Sequence, residues 1–234
     1  KMRNTTYDKN VVEARSSEMS NNPDRVGKTY DAILTEKLCT TEQTLYRRGN
    51  FMGTWDQVLV NSLREEHSAD FAMSAGVRWG TSVPAGHDVT MEDLMTNTSM
   101  TYGETYVSEL KGAQLKDILE GIAENLFVQD PYLQSGGDMV RMGGMDYTID
   151  PAAGLGERIS DMKDDEGTPI DPNKSYKVSG WAQVGSIGNG RLMWDVAADY
   201  LRKQKHLNLS KVNHPTIKGV KDNPGIENYD GELI

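Results

Sequence analysis

Apolar side chains recur at helical spacing in four stretches of the chain. The clearest is Gly112 to Phe127, where leucine, isoleucine and alanine side chains form one continuous stripe. The same spacing predicts a helix from Pro23 to about Leu38, one from Trp55 to Glu66 capped by Thr54, and one from Leu192 to Lys203. We expect these helices to bury one face each.

Strand-like patterns lie between and after these helices. Two come singly, at Ala69 to Met73 and Thr105 to Leu110, and Thr90 with Asp93 resembles a capping box that opens a short helix. A later group is predicted to form a meander, with strands at Met139 to Asp150, Glu157 to Lys163 and Tyr176 to Trp181. Single strands between helices together with a consecutive run indicate an α/β domain, with a mixed β-sheet and flanking helices.

The ends of the chain differ from its centre. Residues 1–22 are polar and poor in large apolar side chains, which favours a linker or strap. Residues 204–234 contain two prolines and little periodicity, which favours an extended tail. We therefore expect one domain at residues 23–203.

The charge and hydropathy of the chain argue against several classes of function. With 35 acidic and 25 basic residues the net charge is -10, which disfavours binding to nucleic acid or to an anionic membrane surface. No apolar run is long enough to span a bilayer, and the polar start has no signal-peptide core. The single cysteine, Cys39, lies on an apparent helix and is expected to be a packed, unreactive thiol.

No set of residues has the spacing of a catalytic or metal centre. The four histidines are scattered, and neither an Asp-x-His pair nor a Gly-x-Ser-x-Gly elbow is present. The sequence therefore predicts no catalytic residue and no metal ligand in this chain.

Three segments carry side chains suited to ligand binding. Arg47, Arg48 and Asn50 place forked donors and an amide in a glycine-containing loop, a combination suited to an oxyanion. Gly76, Arg78 and Trp79 follow a buried strand, where small residues allow close approach of the backbone to a ligand. Trp181 ends another predicted strand. Taken alone, each of the three segments is more often an ordinary surface, turn or core position.

Taken in order, several segments resemble the C-terminal domain of the 5'-nucleotidase superfamily. Ala69 to Arg78 resembles that family's motif ending in Asn-Gly-Gly-Gly-Ile-Arg, and Val89 to Leu94 resembles the helix start that follows it. Val107 to Gly112, Gly143 to Met145 and Pro169 to Val178 continue the match in the same order. The resemblance covers roughly residues 44–203.

Within that superfamily the segments are similar to those of the SoxB group of thiosulfohydrolases. The segments that carry this similarity are Tyr46 to Phe51, Gly76 to Gly80, Met100 to Tyr106, Gly136 to Arg141 and Gly180 to Ala182. The paired phenylalanines with which the family's nucleotidases stack a base have no clear counterpart, because the matching stretches read Met100-Thr101-Tyr102-Gly103 and Gly180-Trp181-Ala182-Gln183. This difference disfavours a nucleotide substrate.

The resemblance implies a periplasmic enzyme of sulfur oxidation that releases sulfate from a cysteine S-thiosulfonate on the SoxY carrier of SoxYZ. In such enzymes an N-terminal metallophosphoesterase-type domain holds two metal ions, generally manganese. The family's metal-ligand motifs are absent from the 234 residues, so we expect this chain to supply substrate recognition and to be inactive alone.

The resemblance also implies roles for individual residues. Arg47, Arg48 and Arg78 are expected to position the sulfonate and Asn50 to donate a further hydrogen bond. Tyr102 and Trp181 are expected to line the channel for the carrier's peptide arm. Two alternatives stay open: a fragment of a nucleotide or nucleotide-sugar hydrolase, and a non-catalytic module that binds a carrier protein.

Overall fold

The computed structural model describes residues 30–47, 51–77, 79–183 and 190–219. The chain divides into two compact units, residues 1–36 and 37–234. In the described part of the first unit, helix α1 (Tyr30–Leu34) buries Ile33. All further elements belong to the second unit.

The second unit alternates helices and short strands. Its helices within the described residues are α2 (Thr54–His67), α3 (Met91–Thr98), α4 (Gly112–Phe127) and α5 (Met193–Gln204). The strands are β1 (Lys37–Thr41), β2 (Phe71–Ser74), β3 (Asp88–Thr90), β4 (Thr105–Lys111), β5 (Arg141–Gly143), β6 (Met145–Ile149), β7 (Ile159–Asp164), β8 (Ser175–Trp181), β9 (His206–Leu207) and β10 (Thr216–Ile217). The α/β class predicted from sequence is confirmed.

These strands form three mixed sheets. The largest has four strands in the order β4-β8-β2-β5, with β2 and β8 parallel and the outer two antiparallel to them. The other two have three strands each, in the orders β3-β1-β9 and β10-β6-β7. The largest sheet carries the candidate site.

Helices cover both faces of the four-stranded sheet. Gly143 of β5 lies opposite Ala72 of β2, so both point to the same face. A Cβ atom on Gly143 would come within 2.5 Å of Val60, so α2 packs directly onto this face. On the other face, Phe71 and Met73 join Leu115 and Leu119 of α4 in one buried cluster. Alternation along β2 therefore divides its side chains between two cores.

Where the sequence pattern is local and strong, the structure follows it. Helix α4 has the predicted bounds, and Leu115, Leu119 and Ala123 of its stripe are buried. Thr90 caps α3: its Oγ1 accepts from the Asp93 amide, and the Asp93 carboxylate accepts from the Thr90 amide at 2.9 Å. The predicted capping box is confirmed.

Two expectations about individual elements are wrong. The predicted first helix does not continue to Leu38, because Leu38 and Cys39 lie on β1, which is held between β3 and β9. Thr54 does not cap α2; the helix begins with it, and its hydroxyl instead donates to the Thr44 carbonyl. The part of the predicted first helix before Tyr30 lies outside the described residues.

The predicted meander is also wrong. Strands β6 and β7 form an antiparallel hairpin, but β8 pairs with β4 and β2 in a different sheet. Gly144, with a φ of +82°, separates β5 from β6 and sends them into different sheets. A turn-rich stretch of sequence indicates where a strand ends, but not which strand it pairs with.

Strands β9 and β10 attach residues 206–217 to the rest of the unit. β9 pairs in parallel with β1, and β10 pairs in parallel with β6. Within the described ranges, no helix is long and apolar enough to cross a membrane.

Candidate functional site

The four-stranded sheet gathers four chain segments at one of its edges. The C-terminal ends of the parallel strands β2 and β8 lie beside the N-terminal ends of the antiparallel strands β4 and β5. In register, Thr105 lies opposite Trp181 and Arg141 opposite Ser74. We call the row Thr105, Trp181, Ser74 and Arg141, with the loops attached to it, the site edge.

The described parts of all five segments that are similar to SoxB reach this edge. Residues 76–80 follow β2, residues 100–104 precede β4, residues 136–140 precede β5, and residues 180–182 end β8. The fifth segment reaches the same place through the side chain of Arg47. Residues far apart in sequence are therefore brought together by strand pairing.

Arg47 is the centre of this arrangement. Its side chain is 1% exposed, and its Nε donates to Oδ1 of Asp56 at 3.1 Å. One terminal nitrogen donates to the Ala75 carbonyl at 3.1 Å, and the other to the Asn97 carbonyl. Asn97 lies in the last turn of α3, where main-chain carbonyls lack helical partners. A single guanidinium thus joins α2, α3 and the loop after β2.

Asp56 accepts hydrogen bonds from two arginines. Its Oδ2 lies 3.3 Å from Nε of Arg141 and 3.0 Å from the Gly53 amide. Arg141 in turn donates to the Met139 carbonyl at 3.2 Å and lies 3.5 Å from the Asp138 carboxylate. The carboxylate therefore links the loop before α2 to the segment before β5.

Burial disfavours the charged forms of both Asp56 and Arg47. Burial raises the pKa of the Asp56 carboxyl, while the charges of Arg47 and Arg141 act in the opposite direction. Burial likewise lowers the pKa of the Arg47 guanidinium, and Asp56 counters it. Both groups depend on their partners to remain ionised in this environment.

Two tryptophans lie beside the same guanidinium. The Arg47 Cζ atom is 6.0 Å from the ring centroid of Trp79 and 5.7 Å from that of Trp181. Trp181 is buried, with Nε1 donating to Oγ of Ser74, whereas Trp79 is 46% exposed. Of the two, Trp79 offers an accessible aromatic surface at the site edge.

Gly76 and Tyr102 occupy the loops around this row. A Cβ atom on Gly76 would lie 2.4 Å from the Met139 carbonyl oxygen, so a glycine is needed for the two loops to touch. Tyr102 is half-buried and lies three residues before Thr105. Arg48, Asn50 and Arg78, also predicted to bind substrate, lie outside the described residues.

The structure therefore brings together Arg47, Gly76, Trp79 and Trp181 but gives Arg47 an unexpected environment. The sequence suggested a guanidinium presented to an anion, whereas the observed guanidinium is buried and donates to protein groups. Contact of any of these residues with a substrate stays a prediction. Asp56, Asn97 and Arg141 were not selected from sequence, although Arg141 ends one of the resembling segments.

The described residues contain no group of three or more His, Cys, Asp or Glu side chains that could hold a metal ion. The side chains described at the site edge supply an aromatic surface at Trp79 and a rigid support around Arg47. These properties suit binding and orientation.

The chain belongs to the family of 5'-nucleotidase C-terminal domains, whose model matches residues 28–199. This match spans the four-stranded sheet and the whole site edge.

Among solved structures, the chain is similar to the sulfate thiohydrolase SoxB of Thermus thermophilus, at 32% identity and a TM-score of 0.75. That match covers 82% of this chain and 37% of the SoxB chain. No curated protein matched the sequence.

Two nucleotidases share the fold at lower identity. A 5'-nucleotidase precursor, also from Thermus thermophilus, is 17% identical with a TM-score of 0.63, over 82% of this chain and 41% of its own. The NAD nucleotidase of Haemophilus influenzae is 15% identical with a TM-score of 0.62, over 88% of this chain and 40% of its own. This chain thus spans about two fifths of the length of each of these proteins.

Proposed function

We propose that this chain is the substrate-recognition domain of a Sox-type thiosulfohydrolase, which releases sulfate from a cysteine S-thiosulfonate on a SoxY-type carrier. The observation that carries the proposal is the meeting of all five SoxB-like segments at the site edge. The 32% identity with SoxB, against 15% and 17% for the two nucleotidases, favours this substrate class.

In this proposal the buried groups support the site edge, and other side chains contact the substrate. A terminal sulfonate has three acceptor oxygens, which suit the paired donors of a guanidinium. Because Arg47 is committed to main-chain and carboxylate partners, we assign the anion contacts to Arg48 and Arg78, with Asn50 as a further donor. Trp79 and Tyr102 would line the path of the carrier's peptide arm.

Hydrolysis requires a second domain. We propose that a metallophosphoesterase-type domain supplies two metal ions, manganese in the family that the chain resembles, and that these activate the attacking water. The site edge would hold the sulfonate against them, so its contribution is orientation. The complete enzyme would act in the periplasm.

A titration against three ligands tests the proposal. The chain is titrated with a peptide bearing a cysteine S-thiosulfonate, with the same peptide bearing a free cysteine, and with AMP. We expect binding of the thiosulfonate peptide alone. The complete two-domain protein, loaded with manganese, is then expected to release sulfate from that peptide.

Two results would favour the alternatives. Binding of AMP in preference to the thiosulfonate peptide would indicate a nucleotide hydrolase. Binding of the peptide without sulfate release by the complete, metal-loaded protein would indicate a carrier-binding module without catalysis.

A further inference from the structure

Three charged side chains form a buried triad at the site edge. Arg47, Asp56 and Arg141 have side chains 1%, 0% and 0% exposed. Asp56 lies between the two guanidinium groups, with one carboxylate oxygen facing each. We call these residues the Arg–Asp–Arg triad.

Besides bonding to each other, the triad residues contact main-chain groups of the loops around the site edge. Arg47 binds the carbonyls of Ala75 and Asn97, which precede and flank the segment carrying Trp79. Arg141 binds the Met139 carbonyl, the same group against which Gly76 packs. The loop after β2 is therefore held from one side by Arg47 and from the other by the segment that Arg141 anchors.

Stability alone does not explain such an arrangement. Burying charged groups costs solvation free energy, and well-packed apolar residues of similar volume often stabilise a protein as well or better. By contrast, Arg64 and Asp165, an ion pair elsewhere in this unit, remain 31% and 25% exposed. The fully buried triad includes Arg141 of the site edge itself and contacts the loops attached to it.

We infer that Asp56 is a positioning residue, which fixes the segments 75–77 and 138–141 relative to each other so that the site edge is preformed. The carboxylate does this by fixing both guanidinium groups, each of which binds main-chain carbonyls of one segment. The ligand of the site edge is taken from the proposed function, and this part of the inference rests on it. The role of Asp56 in fixing the edge does not.

The test is an Asp56→Asn variant of the complete enzyme, which keeps the side chain's size and removes its charge. Amide hydrogen exchange is measured well below the melting temperature, together with KM and kcat for the thiosulfonate peptide. Asp165→Asn is the matched control, since it removes an arginine-paired carboxylate away from the site edge.

We expect exchange in residues 45–47, 75–80, 96–99 and 136–141 to accelerate roughly tenfold or more in Asp56→Asn, with smaller changes elsewhere. KM should rise by a similar factor while kcat changes little, because only the smaller fraction of molecules with a formed edge binds substrate, and those molecules orient it as before. Asp165→Asn should change neither exchange at the edge nor KM.

A uniform rise in exchange across the chain, no rise at the edge, or an unchanged KM would overturn the positioning role. If the unmodified enzyme released no sulfate, the proposed function would fail, and the exchange pattern alone would decide whether Asp56 fixes the edge. Should Asp56→Asn fail to fold, Arg47→Lys serves instead. It keeps the positive charge but lacks the fork needed to reach Asp56, Ala75 and Asn97 together, so the same local exchange is expected.

Discussion

Trp181 donates a hydrogen bond from its indole Nε1 to the Ser74 hydroxyl at 2.8 Å, joining two residues 107 positions apart in sequence. These residues end β8 and β2, the two parallel strands at the centre of the four-stranded sheet. The Trp181 ring also lies beside the Arg47 guanidinium. Trp181 therefore forms part of the buried support of the site edge, while Trp79 carries the exposed aromatic surface.

Removal of this hydrogen bond should destabilise the domain. Trp181→Phe leaves the buried Ser74 hydroxyl without its indole donor, and we expect a loss of about 1–3 kcal/mol in the free energy of unfolding from the bond and the lost packing. Urea denaturation measures this change.

Ser74→Ala and the double variant complete the cycle. Because either single substitution already breaks the hydrogen bond, the double variant should lose less than the sum of the two single losses, with a coupling of about 1 kcal/mol. Strict additivity would show that the hydrogen bond contributes nothing.

Arg78→Ala should separate activity from stability. If Arg78 binds the sulfonate, as its match to the family motif implies, its loss should lower kcat/KM by about tenfold or more with little change in melting temperature. Steady-state sulfate release and thermal denaturation of the complete enzyme provide the two measurements.

Arg202→Ala is the control for a lost guanidinium, because Arg202 pairs with Asp199 on α5, away from the site edge. It should leave kcat/KM unchanged. Parallel losses of activity and melting temperature in Arg78→Ala would indicate that Arg78 supports the fold instead.

Asn213 attaches the segment after α5 to the sheets. Its amide Oδ1 accepts from the Gly144 amide at 3.1 Å and from Gln57, and its Nδ2 donates to Asp146 and Asp165 at 3.0 Å each. Asn213→Ala leaves the buried Gly144 amide without this acceptor and removes three further hydrogen bonds, so we expect a loss of about 2 kcal/mol or more. Chemical denaturation measures the loss, and proteolysis after α5 should become faster.

The neighbouring Lys211 offers a contrast. It also bonds Asp146 and Asp165, but its side chain is 41% exposed. Lys211→Met should therefore cost less than about 1 kcal/mol. Equal losses of stability in Asn213→Ala and Lys211→Met would mean that the burial of Asn213 does not set its contribution to stability.

Cys39 should react slowly in the folded protein. Burial raises the pKa of its thiol to about 11. At pH 8 only about one such thiol in a thousand is ionised, compared with roughly a quarter for a free cysteine, and the thiolate is the reactive form. Reaction with a disulfide reagent should be about a hundredfold slower than in urea, and equally fast reaction in both conditions would contradict this.

Elements governed by short-range pattern could be predicted from the sequence. The bounds of α4 follow from an apolar stripe that repeats over more than four turns, and the start of α3 follows from one threonine and one aspartate three residues apart. Strand β1 could not be predicted, because Leu38 and Cys39 continue a helical spacing and only pairing with β3 and β9 selects the extended form.

The sequence by itself determined the family and the α/β class, because these depend on the order and identity of residues. Tertiary structure alone decided that Arg47 is buried and that Asp56 joins it to Arg141 across 85 positions. Sequence reveals that a guanidinium is present, but its partners depend on how the helices and loops around it pack together. In this chain that packing places the Arg47 guanidinium at the centre of a buried support.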